Sequence, residues 1–326
     1  MFQSAENYLA PLDDAARRRH RLRNFLHTVL LLAAGIGLLS LTALTIFGIE
    51  GLVWAAMATG ISLYFSSRLS PQVILGLYRA RALSRKTFPQ GWQVMDALSA
   101  RAGLPETPQL YYVPSSNMNA FAVGRPGNAA IAVTDGLIRG LTLRQFAAVM
   151  AHEMSHIRNG DIKVMALADM VTRLTNSMAF VGLFMLMMYL PQLAGNGDAP
   201  WLVIASLIVA PTFAGLLQLA LSRTREYEAD LDAVGLTGDP EGLATALLAL
   251  EKKHGAIWEG LVPPGGRIPD PSLLRTHPKT EERVRRLREL EKPLYDPALS
   301  TSVPLVPPDG EPVTGRPRYR MTGTWY

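Results

Sequence analysis

Four apolar runs constrain this chain most, because a lipid bilayer admits only helices or closed barrels and fixes their length. The first, residues 25–47, contains no Asp, Glu, Lys or Arg and reaches the length of about 20 residues that a helix needs to cross. A signal peptide would carry a shorter apolar stretch followed by a small-residue cleavage site. Here the turn Gly48-Ile49-Glu50-Gly51 leads into a second run, 52–65, which attains spanning length when 51–67 is counted. The third run, 178–193, follows Arg173. The fourth, 201–221, contains Pro211, which neighbouring helices can accommodate in a membrane. Four transmembrane helices are therefore expected, two within 25–67 and a hairpin over 174–221.

Charge placement agrees with this. The hydrophobic content is 48%, the charged fraction 18%, and the net charge +5. A basic balance can serve nucleic acid or a membrane surface, and here the basic residues flank the apolar runs. Arg17, Arg18, Arg19, Arg21 and Arg23 precede the first; Arg68, Arg79, Arg81, Arg85 and Lys86 follow the second; Arg223 and Arg225 follow the fourth. The intervening turns, 48–51 and 194–200, contain no Lys or Arg. The positive-inside rule then places both termini and the 68–170 segment in the cytoplasm, with the bilayer and not nucleic acid as the partner. Only six of the 32 basic residues are Lys, an Arg-heavy, Ala-heavy composition that suggests a GC-rich bacterial genome and so a bacterial inner membrane. The chain has no cysteine, so any metal must be held by His and carboxylates.

Between the runs the periodicity changes. Residues 92–102 read as an amphipathic helix closed by Gly103. Three short segments rich in β-formers follow, 109–113, 120–123 and 129–133, the last two joined through the turn residues Arg125-Pro126-Gly127-Asn128. A small β-sheet with a hairpin is expected. Thr142-Leu143-Arg144-Gln145 is a capping box that opens a helix running to Arg158 and stopping at Asn159-Gly160. Farther on come a Pro/Gly-rich loop, 255–271, and a charged helix, 280–291.

The chemistry lies on the capped helix. His152-Glu153-Met154-Ser155-His156 fits H-E-x-x-H, and residues i and i+4 of a helix share a face. Two imidazoles at that spacing can hold one Zn²⁺, while Glu153 can serve as general base on a water without ligating the metal. A catalytic zinc usually takes a third protein ligand from another element. Glu226-Tyr227-Glu228-Ala229-Asp230 continues the fourth run past the membrane surface. Glu226 and Asp230 share a face, which suits one as ligand and the other as acceptor for a ligand imidazole; Glu228 is the competing ligand.

The stretches HEMSHIRNGD (152–161), SRTREYEAD (222–230), NAFAVG (119–124) and THPKTEER (276–283) resemble the HtpX-type heat-shock membrane proteases, relatives of the CAAX prenyl proteases, over roughly residues 25–292 and in family order. The resemblance implies an α+β fold, a mainly helical gluzincin-like metalloprotease domain with a small β-sheet, joined to the four transmembrane helices. It implies one Zn²⁺ per chain on His152, His156 and Glu226, with Glu226 preferred to Glu228. It also implies that His277 and Arg283 reach the active site to stabilise an oxyanion or position substrate. Asn119, Ala120 and Phe121 would form an edge strand that pairs with a peptide, a common way of holding extended chains. The implied substrates are misfolded or damaged membrane proteins.

The organisation that follows is a basic cytoplasmic arm (1–24), two spans (25–67), the first catalytic half (68–173), a transmembrane hairpin (174–221), the second catalytic half (222–292), and a Pro-rich tail expected to be disordered (293–326). Three rivals stand beside it, of which a transporter or channel is opposed by the few ionisable residues within the four runs. A non-proteolytic zinc-binding scaffold would not need Glu153, and a prenyl-peptide protease of the CAAX type would carry more spans around a chamber.

Overall fold

A computed structural model describes residues 14–68, 71–191, 200–259 and 280–290. The tail from 293, most of the 194–200 turn, most of the 255–271 loop, and His277 lie outside them. The fold is mainly helical, with nine helices among the described residues: α1 (Asp14–Arg68), α2 (Pro71–Leu77), α3 (Pro89–Ala102), α4 (Asp135–Gly140), α5 (Leu143–Asn159), α6 (Asp161–Tyr189), α7 (Trp201–Thr237), α8 (Pro240–Glu259) and α9 (Thr280–Arg288). Four strands, β1 (Arg81–Ala82), β2 (Gln109–Val113), β3 (Ala120–Arg125) and β4 (Asn128–Thr134), form a mixed sheet in the order β1-β2-β4-β3. The expected hairpin is β3–β4. The parallel pairing of β2 with β4 and the short edge strand β1 are additions to the expected sheet.

The chain divides into two compact units. One comprises His20–Leu69 and Lys163–Arg225. Its helices turn large apolar side chains outward: Leu202 is 88% exposed, Phe180 74% and Ile49 73%. Such surface is stable only against lipid or a partner. Three helical stretches here are long and apolar enough to cross a membrane: Phe25–Ile61, Asp161–Tyr189 and Trp201–Thr237. The first carries both of the first two apolar runs, so a separate fourth span is not resolved as its own helix. The boundary between those runs is nonetheless sharp. Gly48 has φ 62° and ψ −151°, a conformation essentially restricted to glycine. In a straight helix Ala43 and Gly51 would stand about 12 Å apart along the axis; instead a Cβ on Gly51 would collide with the Ala43 carbonyl oxygen, so the chain folds back at this point. The turn expected over four residues is made largely by one. Between α6 and α7, a Cβ on Gly182 would lie 2.6 Å from Leu207 Cβ, the close approach that small residues allow in membrane helices.

The other unit comprises Ser70–Ile162 and the described residues from Glu226 onward. Its core is built on α5, which buries Phe146, Met150, Met154 and Ile157 along one face. Each such side chain contributes about 1.5–3 kcal/mol of burial. They meet Phe88, Trp92, Met95 and Leu98 around α3, Ile131 and Val133 of β4, Leu243 and Leu247 of α8, and Val284 and Leu287 of α9. Alternation along β4 sends Ala130 and Ala132 to the opposite face, where they pack with Leu75 of α2. Helix α8 extends to Glu259, so the expected loop begins later than Gly255, and α9 ends at Arg288 rather than 291.

Candidate metal centre

Helix α5 is fixed at both ends. The Thr142 hydroxyl accepts from the Gln145 N–H at 3.3 Å, and the Gln145 side chain accepts from the Thr142 N–H at 3.0 Å. At the other end Gly160, left-handed with φ 70°, donates back to His156 and Ile157. With one face of α5 committed to the core, the opposite face presents His152, Glu153 and His156. The two imidazoles stand edge to face with ring centroids 4.7 Å apart.

Glu226 comes from α7. Its Oε2 lies 3.5 Å from His152 Nε2 and its Oε1 3.6 Å from His156 Nε2, while the two Nε2 atoms are 3.1 Å apart. Ligand atoms held about 2.0–2.1 Å from a tetrahedral zinc stand roughly 3.3 Å from one another, and these three edges bracket that value. Among the described residues, these three form the group whose ligand atoms could share one ion, and Glu228 is not part of it.

The imidazoles are backed by carboxylates. Asp161 Oδ2 lies 2.7 Å from His156 Nδ1, and Asp230 Oδ1 lies 3.1 Å from His152 Nδ1, close in distance but bent away from hydrogen-bond geometry. Carboxylates facing both Nδ1 atoms favour the protons there. The two Nε2 atoms, 3.1 Å apart, are then left to share a proton or a cation. Burial opposes a charge on His152, yet the carboxylates of Asp230 and Glu226 carry its pKa up to about 10. The donor set and its acidic surroundings fit a divalent metal.

Arg283 of α9 closes the cluster. Its Nε and one terminal nitrogen reach the two Asp230 oxygens at 2.7 and 2.6 Å, and the other terminal nitrogen reaches Glu226 Oε2 at 3.0 Å. These acidic partners hold its pKa above the usual arginine value despite burial. The guanidinium thus grips the two acidic residues of α7, leaving at most two of its five N–H donors for anything else. Further ties run from α5 to Asp232 of α7, which Asn159 meets at 2.8 Å, and to Asp239 between α7 and α8, which Arg144 meets at 2.6 and 2.7 Å.

Glu153 stands beside the cluster on the sheet side. Burial pushes its carboxyl upward, opposed by the nearby imidazoles and by a hydrogen bond from the Ala122 backbone. That bond fixes the relation of α5 to β3, which is an edge of the sheet. The Asn119 carbonyl accepts from Thr134 of β4 at 3.0 Å, so by antiparallel alternation Phe121 and Val123 also face β4. Ala120 and Ala122 turn their amides outward, and the Ala122 N–H meets Glu153.

The structure brings together His152, Glu153, His156, Glu226, Asp230 and Arg283, and sets Asn119, Ala120 and Phe121 along the adjoining edge. The sequence reading missed Asp161, which is 3% exposed. The signal was in the turn Asn159-Gly160: a left-handed residue after the helix sends the next side chain back over its last turn.

Residues 86–291 match the model of Peptidase family M48. Over 289 residues the chain is 34% identical to a protease HtpX homolog of Paraburkholderia phytofirmans, an alignment covering 82% of this chain and 98% of that protein. It is 36% identical over 287 residues to a protease HtpX homolog of a Nostoc species, covering 83% and 98%. With a protease HtpX homolog of Ralstonia nicotianae it shares 34% over 287 residues, covering 82% and 96%.

Proposed function

The chain belongs to peptidase family M48 as an HtpX-type membrane metalloprotease, and from that premise we propose that it is a zinc-dependent endopeptidase of a bacterial inner membrane that hydrolyses misfolded or damaged membrane proteins at the cytoplasmic face. The observation that carries the reading is the convergence of His152 Nε2, His156 Nε2 and Glu226 within one tetrahedron's edge lengths, with Glu153 alongside.

His152, His156 and Glu226 would hold the zinc. Bound there, zinc supplies Lewis acidity, polarising a carbonyl and easing the deprotonation of water. Glu153 takes the proton from the attacking water and delivers it to the departing amine nitrogen. A carboxyl raised by burial is suited to both transfers. Asp161 and Asp230 orient the imidazoles. Arg283 holds Glu226 and Asp230 in register, and with His277 it is assigned to the developing oxyanion. The peptide would lie extended along β3, pairing with the outward amide groups around Ala120 while Asn119 and Phe121 help to place it. The two catalytic halves, 68–173 and 222–292, would flank the 174–221 hairpin, after spans at 25–67. The Arg clusters that border the apolar runs support the cytoplasmic assignment.

The test is zinc content together with cleavage of casein and of a membrane-protein substrate in mild detergent. Glu153→Gln should keep about one zinc per chain and lose at least about 100-fold in turnover, since removal of a general base costs about 10²–10⁴-fold. Near-wild-type turnover would refute the role of Glu153. Wild-type protein with full zinc and no cleavage of either substrate would favour the scaffold.

A further inference from the structure

We propose that α2 is an interfacial anchor that lies in the headgroup layer of an acidic bilayer, with Val73 and Leu77 in the acyl boundary and Arg79 on a phosphate group. Helix α2 is two-faced. Pro71 and Leu75 are buried, Leu75 against Val113, Val123, Ala130 and Ala132 of the sheet. One turn apart on the opposite side, Val73 is 54% exposed and Leu77 67%. Among the described residues of the unit that holds the metal centre, these are the two most exposed large apolar side chains.

Chain connectivity says what covers them. Helix α1 ends at Arg68 and α2 begins at Pro71. Only residues 69 and 70 separate them in the sequence, so α2 follows directly on the segment that carries the first two apolar runs. The apolar run in α1 turns polar at Ser66, Ser67 and Arg68, the composition expected where a helix leaves the hydrocarbon. Charge agrees with position. No Asp or Glu occurs between Glu50 and Asp96, while Arg68, Arg79, Arg81, Arg85 and Lys86 all fall in that stretch. Arg85 is engaged by Asp96 and stacks on Trp92, and Arg81 pairs in register with Tyr112 on the face of the sheet away from α2, but Arg79 is exposed two residues after Leu77. Among the described residues, Arg79 is the one non-glycine with positive φ, at 53°. This conformation follows the end of α2 at Leu77 and sets Arg79 at its margin. An apolar face with an arginine at its margin, in a stretch without acidic residues, suits an interface several ångströms deep, with acidic lipids adding to the hydrophobic attraction.

The same helix braces the sheet. Tyr78 packs on Phe121 with ring centroids 4.7 Å apart, and Pro71 lies against Gly124. An anchored α2 therefore holds the β3 edge near the bilayer surface, a consequence that rests on the protease reading, although the measurement of depth does not.

Because the chain has no cysteine, single-cysteine variants report cleanly. Val73→Cys, Leu77→Cys and, as a solvent control, Glu289→Cys would be labelled with an environment-sensitive fluorophore in the full-length protein. Each would be reconstituted in vesicles of phosphatidylcholine with and without phosphatidylglycerol, with zinc content confirming the fold. Probes at 73 and 77 should be quenched by lipids carrying a shallow spin label at least threefold more than the probe at 289, with the reverse order for aqueous iodide. Arg79→Gln should reduce lipid quenching at 77 in vesicles containing phosphatidylglycerol and leave it unchanged in pure phosphatidylcholine. Iodide access at 73 and 77 equal to that at 289 would overturn the proposal. So would shielding from both quenchers, which would mean that a protein covers α2. Insensitivity of the Arg79 variant in both lipids would overturn the assignment of Arg79 to a headgroup.

Discussion

At the scale of single residues, the metal centre divides into atoms that would touch an ion and atoms that aim them. Asp161 belongs to the second group, buried and 2.7 Å from His156 Nδ1. Loss of such an outer carboxylate typically weakens metal binding about 10–100-fold. Asp161→Asn should therefore raise the zinc dissociation constant by about that factor, measured by competition with a calibrated chelator, while the folded helix content is unchanged. Wild-type affinity would show that His156 needs no such orientation. The acidic stretch of α7 gives a second, sharper comparison. Glu226 is placed within the triangle of ligand atoms and Glu228 is not. Glu226→Ala should strip the zinc and Glu228→Ala should retain it, as read by elemental analysis after dialysis. The reverse pattern would overturn the ligand assignment. From residues alone Glu226 and Glu228 could not be separated, because either could turn toward a metal if the facing helix were unknown. The family resemblance made the choice. Asp161 was missed for the opposite reason: its contact depends on the left-handed turn at Gly160, a backbone event that spacing rules for helices do not encode.

Among the elements, those marked at both ends were the most legible. Helix α5 was bounded to within one residue because Thr142, Gln145 and Gly160 each carry a backbone requirement of their own. The hairpin β3–β4 was readable from Pro126-Gly127 for the same reason. Strand β1 has two residues and α4 has six, too few to display a period, and the parallel pairing of β2 with β4 is a long-range choice on which local sequence is silent. Gly48 concerns the membrane elements. If the chain reverses there so that 52–65 returns across the bilayer, Glu50 lies on the side opposite Arg85. Glu50→Cys should then react with a membrane-impermeant maleimide applied outside intact cells, and Arg85→Cys should react only after lysis. Labelling of both only after lysis would mean that the second run does not cross.

For the whole molecule, the decisive element is α7, an unbroken helix from Trp201 to Thr237 that passes Pro211, leaves the apolar run at Leu221 and presents Glu226 five residues later. A helix rises about 1.5 Å per residue, so Glu226 stands roughly 8 Å along the axis beyond the end of the apolar run. The helix is unbroken over this interval, and α5 is tied to Asp232 of α7 and to Asp239 just after it. If α7 stays unbroken in the bilayer, the enzyme would work as a ruler. A membrane-protein substrate emerging beside it would be cut at a set height above the bilayer, whatever its sequence. Mapped by mass spectrometry, cleavage sites in substrates whose single spans differ in flanking sequence should cluster within a few residues of one distance from the membrane. Inserting one helical turn between Leu221 and Glu226 should move that cluster outward or abolish cutting altogether. Cleavage sites scattered independently of distance would mean that the height of the blade is not what selects the bond.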